Sequence, residues 1–551
     1  MDTAAISVAS YHENKRVKLL KSSAAFGAMT LISRLFGFIR DMVLARFFGA
    51  GPVMDAFVIA FRIPNLLRRL FAEGSFSLAF VPVLAAAREQ QDPKTLKELI
   101  NAVTGCLLAV LLLIVATGIV FAPWIIGLVV PGFANDPQQV ALASDLLRIM
   151  FPYLMLVSLT ALAAGILNTF GRFSLPALTP VMLNLSMIVA VVGFSASFDR
   201  PIEALAWGVF AAGFLQLLML LPTLFRLGLL PRPTPNFAHP GVQRILKLMV
   251  PTLFGSSVAQ INLLLDTLIA SLLIAGSVSW LYYSERLMDL PLGIFGVALS
   301  TVILPTLSSL HARQQQLEFR ATLEWALLLG LVIGMPAAAG LLMLAEPLML
   351  TLFERGAFSQ DDATWAGFAL SMYCLGLPAF IGVKILAPAY FSRQDTATPV
   401  KVALVALLAN IFLNIVFIGA LMFAFTEPGE SLMQRLQAAP GMHGGLALAS
   451  AVAGWLNAGL LWFYLKRTAM QPRLPIRQIV RVVLSVFGMG LAVYFLQPPI
   501  QQWQLATTAQ RAVWIVLTVS GGIGVYGLLL LISGLRIRHL IKPVPQPPNG
   551  A

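Results

Sequence analysis

Apolar residues run along this chain in long blocks separated by short polar links rich in Gly and Pro. A helix needs about 20 such residues to cross the hydrocarbon core of a bilayer. Fourteen blocks reach that length, at roughly 23–48, 54–86, 100–124, 138–168, 174–196, 203–225, 245–274, 278–308, 321–350, 362–390, 399–424, 443–465, 478–496 and 510–534. The links are brief, as at 49–53 and 230–240, and no long polar insertion interrupts the series. The pattern predicts an all-α polytopic membrane protein with fourteen transmembrane helices.

Composition agrees with that pattern and removes its rivals. Of 551 residues, 58% are hydrophobic and only 11% charged, and mean hydropathy is +0.84. Ordinary globular chains carry about 25% charged residues, so this one has too few to cover a soluble surface. Cys106 and Cys374 both lie in apolar runs, which excludes a disulfide framework and gives no zinc-ligand spacing.

The net charge of +13, from 37 Lys and Arg against 24 Asp and Glu, would fit nucleic acid only if the charges formed one face. They follow the links instead. Lys15, Arg16, Lys18 and Lys21 precede the first block, and alternate links carry most of the rest. The other links and their edges hold only Arg200, Arg355, Arg435 and Arg511. Lys and Arg mark the cytoplasmic side, so both termini are expected there, and no nucleic-acid partner is expected. The first block contains Arg34, Arg40, Asp41 and Arg46 and has no small-residue cleavage site. It reads as a retained membrane helix, not a signal peptide.

A short internal repeat organises the blocks. Phe170-Gly171-Arg172 followed by Thr179-Pro180-Val181 recurs as Phe391-Ser392-Arg393 followed by Thr398-Pro399-Val400. Both copies sit at a turn leading into a helix, which fits a six-helix unit repeated in parallel, a known transporter arrangement. The expected organisation is a cytoplasmic segment at 1–22, an N-lobe at 23–225, a cytoplasmic linker at 226–244 and a C-lobe at 245–465. A second cytoplasmic linker at 466–477, two further helices within 478–534 and a cytoplasmic tail at 535–551 complete it.

Charges inside the blocks point to function. Each costs about 2.5–3.5 kcal/mol on insertion scales, so it marks a functional site by default. Arg34 and Arg40 in the first block, Arg68 in the second and Arg286 in the eighth lie too deep to snorkel. At 1.5 Å per residue they sit roughly 12–25 Å from their helix starts, within reach of a shared zone. Asp41, Asp55, Glu285 and Asp289 offer counter-charge, and Arg286 and Asp289 share a face at i, i+3. Pro64, within Arg62 to Arg69, is expected to break the second block by removing a backbone hydrogen bond. Guanidinium suits bidentate phosphate binding, so an arginine-lined cavity is expected to hold an anionic, phosphate-bearing headgroup. The competing account is a set of structural ion pairs between helices.

Other polar groups carry less. Asp145 and Arg148 form a self-satisfied pair at i, i+3. Asp266, Asn410 and Asn414 present oxygen to a hard cation, which implies sodium or proton coupling. Hydrogen bonding between helices is the alternative for these three. No Walker loop, dinucleotide fingerprint, zinc cluster or nucleophile elbow occurs, so no enzymatic activity and no organic cofactor are expected. Transport would then be driven by an ion gradient, the membrane potential or the substrate gradient.

Ser33 through Asp41, Pro64 through Gly74, Gly276 through Trp280 with Arg286-Leu287-Met288, Lys384 through Pro388, and Ser392 through Asp395 together resemble one family. It is the MurJ (MviN) family of lipid II flippases, within the superfamily of multidrug, oligosaccharidyl-lipid and polysaccharide exporters. The likeness runs from about Lys21 to Leu540. It implies two six-helix lobes around a central cavity, and a groove for the lipid tail formed by the last two helices. It also implies that Arg34, Arg40, Arg68 and Arg286 line the cavity, with Asp41 and Asp55 contributing to substrate binding. Asp266, Asn410 and Asn414 match a sodium site of some relatives, although Asn414 stands where a second carboxylate is expected. The implied function is translocation of undecaprenyl-diphosphate-linked disaccharide-peptide from the inner to the outer leaflet of the bacterial cytoplasmic (inner) membrane, by a monomer among membrane lipids. Export of another polyprenyl-linked glycan, or of drugs, is the alternative, and a drug cavity should be rich in carboxylates.

Overall fold

In the computed structural model the described residues are 29, 32–69, 76–89, 92–425, 431–438, 441–466 and 472–535. The expected segment 1–22 lies outside them, as do 536–551 of the expected tail. Among the described residues the regular structure is helical and no strand occurs. Ten helical stretches are long and apolar enough to span a membrane, and the bent pair Gln360–Cys374 and Leu377–Phe391 makes up to eleven. The remaining expected blocks, 23–48, 54–86 and 245–274, all include positions or side chains outside the described set.

The chain divides into two compact units, Met1–Phe48 with Ala56–Gln260, and Gly49–Asp55 with Ile261–Ala551. The helices up to the second half of α10 are α1 (32–48), α2 (Pro52–Arg68), α3 (Phe76–Glu89), α4 (Pro93–Val120), α5 (Ala122–Val129), α6 (Pro137–Met150), α7 (Tyr153–Thr169), α8 (Ser174–Phe194), α9 (Ile202–Arg226) and α10 (Pro240–Ser271). The first turn of α2 and the end of α10 belong to the second unit. That unit continues with α11 (Ser277–Pro291), α12 (Val297–Ala312), α13 (Gln316–Met343), α14 (Ala345–Leu352), α15 (Gln360–Cys374), α16 (Leu377–Phe391) and α17 (Ala397–Phe425). It ends with α18 (Leu432–Ala438), α19 (Met442–Lys466), α20 (Ile476–Leu496), α21 (Ile500–Leu505) and α22 (Thr508–Ile532).

Local chemistry explains where several helices begin. Asp92 accepts from the amides of Lys94 and Thr95 ahead of Pro93, and Asp136 does the same for Gln138 and Gln139 ahead of Pro137. Both pairs combine an N-cap acceptor with proline at the first helical position. Reciprocal capping boxes join Ser359 with Asp362 at α15 and Thr507 with Gln510 at α22.

In the first unit α9 packs on α7 and α8, and α3 and α4 pack on α7. Phe76 and Phe80 stack at 5.1 Å within a core that includes Leu99, Ile166, Leu220 and Leu224. In the second unit α17 packs on α19, α20 on α22, and α13 on α16. The bend between α15 and α16 measures 44°. Its Gly376 lies so close to α19 that a Cβ there would sit 2.7 Å from the Ala451 Cα. Large apolar side chains are buried inside each unit, yet many also face outward, among them Leu113 (70% exposed), Phe423 (85%) and Phe487 (67%). Patches of this kind are a liability in water and ordinary against lipid.

Two expectations are revised in detail. Pro64 does not break its helix, because α2 runs through it to Arg68. An interior proline costs about 3 kcal/mol. Phe57, Val58, Ile59 and Phe61 are nearly fully buried just before it. Within a membrane the backbone groups that a proline frees are satisfied by neighbouring helices and small local adjustments, so a helix this closely packed runs on through it.

The repeat also proves looser than its letters. After α7 the Arg172 amide returns to Leu167 O at 2.9 Å over a left-handed Gly171 (φ 74°). After α16 the Asp395 amide returns to Tyr390 O at 3.1 Å over a left-handed Gln394 (φ 62°). Both ends close by the same six-to-one bond. The left-handed residue falls one position after Phe170 but three after Phe391, so the two Phe-x-Arg triplets are not equivalent in place.

Candidate functional site

The buried charges fall into separate local environments. In the first unit, α1 carries Arg34 and Arg40. Arg40 and Asp41 are 6% and 1% exposed. The Arg40 Nε and Nη2 donate to Asp41 Oδ1 at 2.9 and 2.7 Å, and Nη1 donates to Asn184 Oδ1 on α8 at 2.9 Å. Asn184 Nδ2 in turn donates to the Ser33 carbonyl at 3.1 Å. Gly37 makes this approach possible, since a Cβ there would already lie 3.4 Å from Asn184 Nδ2. Arg40 is therefore neutralised by its sequence neighbour and fixed to a second helix. Arg34 is half-buried and makes no hydrogen bond or ion pair among the described residues. Arg68 ends α2, half-buried, with its Nε donating to Asn65 Oδ1 at 3.0 Å.

In the second unit Arg286 lies half-buried on α11, its guanidinium carbon 4.7 Å from the centroid of the Tyr282 ring. That geometry is a cation–π contact. Asp55 makes no ion pair with an arginine among the described residues. It caps α11, accepting from the amides of Gly276 and Ser279 at 2.6 and 2.8 Å and from the Ser279 hydroxyl at 2.5 Å. Gly276 has φ 97°, a left-handed conformation that a side chain would strain. The first two turns of α11 are fastened to α15 by Trp280 Nε1 to Asp362 Oδ1 at 2.9 Å and by Ser284 Oγ to Ala366 O at 2.6 Å.

Asp266, Asn410 and Asn414 do come together. Asn414 Nδ2 donates to Asp266 Oδ1 at 2.9 Å and to Asn410 Oδ1 at 2.8 Å. Asn262 Nδ2 donates to Asp266 Oδ2 at 3.1 Å, and Ser450 Oγ on α19 reaches the same oxygen at 3.4 Å. Asn410 Nδ2 completes the ring by donating to Ser450 Oγ at 3.1 Å. The side-chain oxygens of Asn414 and Asn262 are buried with no hydrogen-bond partner. Turning those amides over would present oxygen to a cation, so this all-oxygen set fits sodium chemically. No cluster of three or more His, Cys, Asp or Glu suited to a metal occurs among the described residues.

Asn184, Asn262, Ser450 and Ser279 were not singled out by the sequence. Only Asn262 carried a local signal, since it precedes Asp266 by one helical turn. The paired Asp145 and Arg148 meet at 3.0 Å as expected, and Arg200 joins them at 2.9 Å.

Membrane-length helices that carry guanidinium groups and a carboxylate–amide cluster within their spans define a polytopic membrane transporter. The family model for lipid II flippase MurJ matches residues 44–513, and the chain belongs to that family. The probable lipid II flippase MurJ of Haemophilus influenzae is 40% identical over 93% of this chain and 99% of its own length. The lipid II flippase MurJ of Burkholderia cenocepacia is 41% identical over 83% of this chain and 86% of its own. A solved lipid II flippase MurJ in an inward closed conformation superposes with TM-score 0.76 at 27% identity, covering 94% of this chain and 99% of that one. An inward-facing multidrug resistance MATE family transporter of the MOP superfamily superposes with TM-score 0.61 at 14% identity, over 80% of this chain and 99% of that one, and shares the fold alone.

Proposed function

We propose that this chain is a lipid II flippase, carrying the diphosphate-linked precursor from the inner to the outer leaflet of the bacterial cytoplasmic membrane with both termini in the cytoplasm. It acts as a single chain by alternating access and makes or breaks no covalent bond. Family membership supports the substrate, and the state of Arg34 carries the mechanism. A half-buried guanidinium on a membrane helix, with no ion pair or hydrogen bond among the described residues, calls for an anionic ligand. Arg68 and Arg286 supply further charge, with Arg40, Asp41 and Asp55 in supporting positions. Export of a cationic drug would require carboxylates where these arginines stand, and export of another polyprenyl-linked glycan would change the sugar but not the diphosphate chemistry. The outward-facing apolar residues of α20 and α22, Phe487 and Ile523 among them, suit the polyprenyl tail. Asp266, Asn410 and Asn414, with Ser450, would hold a sodium ion or a proton as the coupling ion.

Alanine at Arg34, Arg68 or Arg286 tests this. A charge-assisted hydrogen bond contributes roughly 1.5–3 kcal/mol, so each loss should weaken headgroup capture about ten- to a hundred-fold. Lipid II accessible at the outer leaflet should fall accordingly at normal protein abundance, with lysine restoring only part, because it lacks the bidentate fork. Normal outer-leaflet lipid II in all three alanine variants would sink the phosphate mechanism.

A further inference from the structure

A cavity of about 570 Å³ lies in the second unit, near the end of α20. It sits where two membrane-length helices end, at Leu342 and Met343 of α13 and at Tyr494 and Phe495 of α20, and is closed by Gln497 and by Trp503 of α21. Helix ends rich in Tyr and Trp mark the boundary between hydrocarbon and water. Trp503 is a fixed wall, 1% exposed, with its Nε1 donating to the Pro498 carbonyl at 3.1 Å.

The polar floor is acidic. Glu346, in the first turn of α14, accepts at Oε1 from the Thr364 hydroxyl at 3.0 Å, which fixes the carboxylate. Glu346 makes no ion pair among the described residues. The neighbouring Glu354, by contrast, is neutralised by the buried Arg511. No Lys or Arg lines the cavity. A first-turn acid complements the helix dipole, which explains an acid here but not its enclosure by aromatic rings.

We propose that this cavity seats the primary ammonium headgroup of a membrane phospholipid. The carboxylate of Glu346 accepts the ammonium N–H groups, and the ring face of Tyr494, 64% exposed, adds cation–π attraction. The Tyr494 hydroxyl and the Gln497 amide, which make no side-chain hydrogen bond among the described residues, serve as neutral donors to the adjoining phosphate. A free anion is disfavoured, because its charge would face Glu346 with no base to offset it. The lining Phe495 (79% exposed), with Leu496 (54%) next to it in the chain, offers an apolar surface to the acyl chains and favours a lipid over a soluble amine.

Native mass spectrometry of the full chain in detergent, with lipids of matched acyl chains, tests the seat. Phosphatidylethanolamine should be retained about tenfold over phosphatidylglycerol, the equivalent of one charge-assisted bond. Glu346→Gln should bring the two to parity. Tyr494→Lys, at a rim position 64% exposed and so tolerant in packing, should do the same by placing an ammonium over the seat. The proposal is overturned by equal retention of both lipids on the unaltered chain, or by a preference that survives both substitutions. It is also overturned if the trimethylated phosphatidylcholine binds as well, since N–H donation is then irrelevant, or if free ethanolamine displaces the lipid at equal concentration.

Discussion

The two buried polar clusters solve the same problem in opposite ways. In the first unit Arg40 lies against the opposite charge of its own sequence neighbour, and Asn184 only fixes the pair's orientation. In the second, the Asp266 carboxylate is ringed by the amides of Asn262 and Asn414 and the hydroxyl of Ser450. The first cluster carries no net charge from its two ionised members. The second gathers dipoles around a carboxylate and keeps two amide oxygens in reserve. A neutral pair is suited to holding helices together. A carboxylate solvated by amides that can turn over is suited to exchanging its donors for a cation.

The largest effect should follow from separating the neutral pair. Removing one member of a buried ion pair strands the other and costs about 3–5 kcal/mol, whereas replacing both with apolar residues is often nearly neutral. Asp41→Ala should therefore lower unfolding stability by that amount, measured on the full chain in detergent. Arg40→Leu with Asp41→Leu should recover most of it. If the double variant transports lipid II normally as well, Arg40 is structural and leaves the substrate-binding set. If it is stable but inactive, Arg40 meets substrate despite its pairing.

A smaller effect is expected at Asp266→Asn, which keeps the shape but replaces one charged acceptor by a donor. Asn414 and Asn262 would then point N–H groups at a neutral amide, with the loss of bonds to a charge worth roughly 1.5–3 kcal/mol each, partly regained by turning the amides over. A net loss of about 2 kcal/mol in the same unfolding measurement, together with loss of any sodium-dependent stabilisation, is the expected result. Sodium stabilisation that persists in this variant would place the ion elsewhere.

These clusters also show what a sequence makes visible. The spans were legible because membrane thickness demands a minimum apolar run, and that run survives any detail of packing. The charges were legible because each is costly in hydrocarbon. Their partners were not, because partner choice is made across helices: Arg40 and Asn184 are 144 positions apart, and Asp266 and Asn414 are 148 apart. An isolated Asn in an apolar helix gives no hint of which neighbour it will meet. Asp55 illustrates the same limit, since no local pattern announces that an acid entering α2 will cap α11. Pro64 failed as a signal for a different reason, because a proline inside a packed membrane helix can be accommodated without ending it. The short helices α14, α18 and α21 fall below the length at which periodicity identifies an element.

The smallest expected effect separates orientation from neutralisation. Asn184→Ala leaves Arg40 and Asp41 paired but deletes the acceptor for Arg40 Nη1 and the donor to the Ser33 carbonyl. Deleting one partner of a hydrogen bond costs about 1–3 kcal/mol when the remaining group stays buried and unsatisfied. The Arg40 guanidinium keeps two bonds to Asp41, and the Ser33 carbonyl lies within a helix, so the lower end of that range, about 1 kcal/mol, is expected. Asn410→Ala is the matching deletion in the other unit, where Asn410 accepts from Asn414 and donates to Ser450. There the effect should be larger in the presence of sodium than in its absence, because the variant also loses a ligand to the ion and with it part of the ion's stabilisation. At Asn184 sodium should make no difference. Equal salt responses in the two variants would erase the distinction between a fixed neutral pair and an adaptable carboxylate.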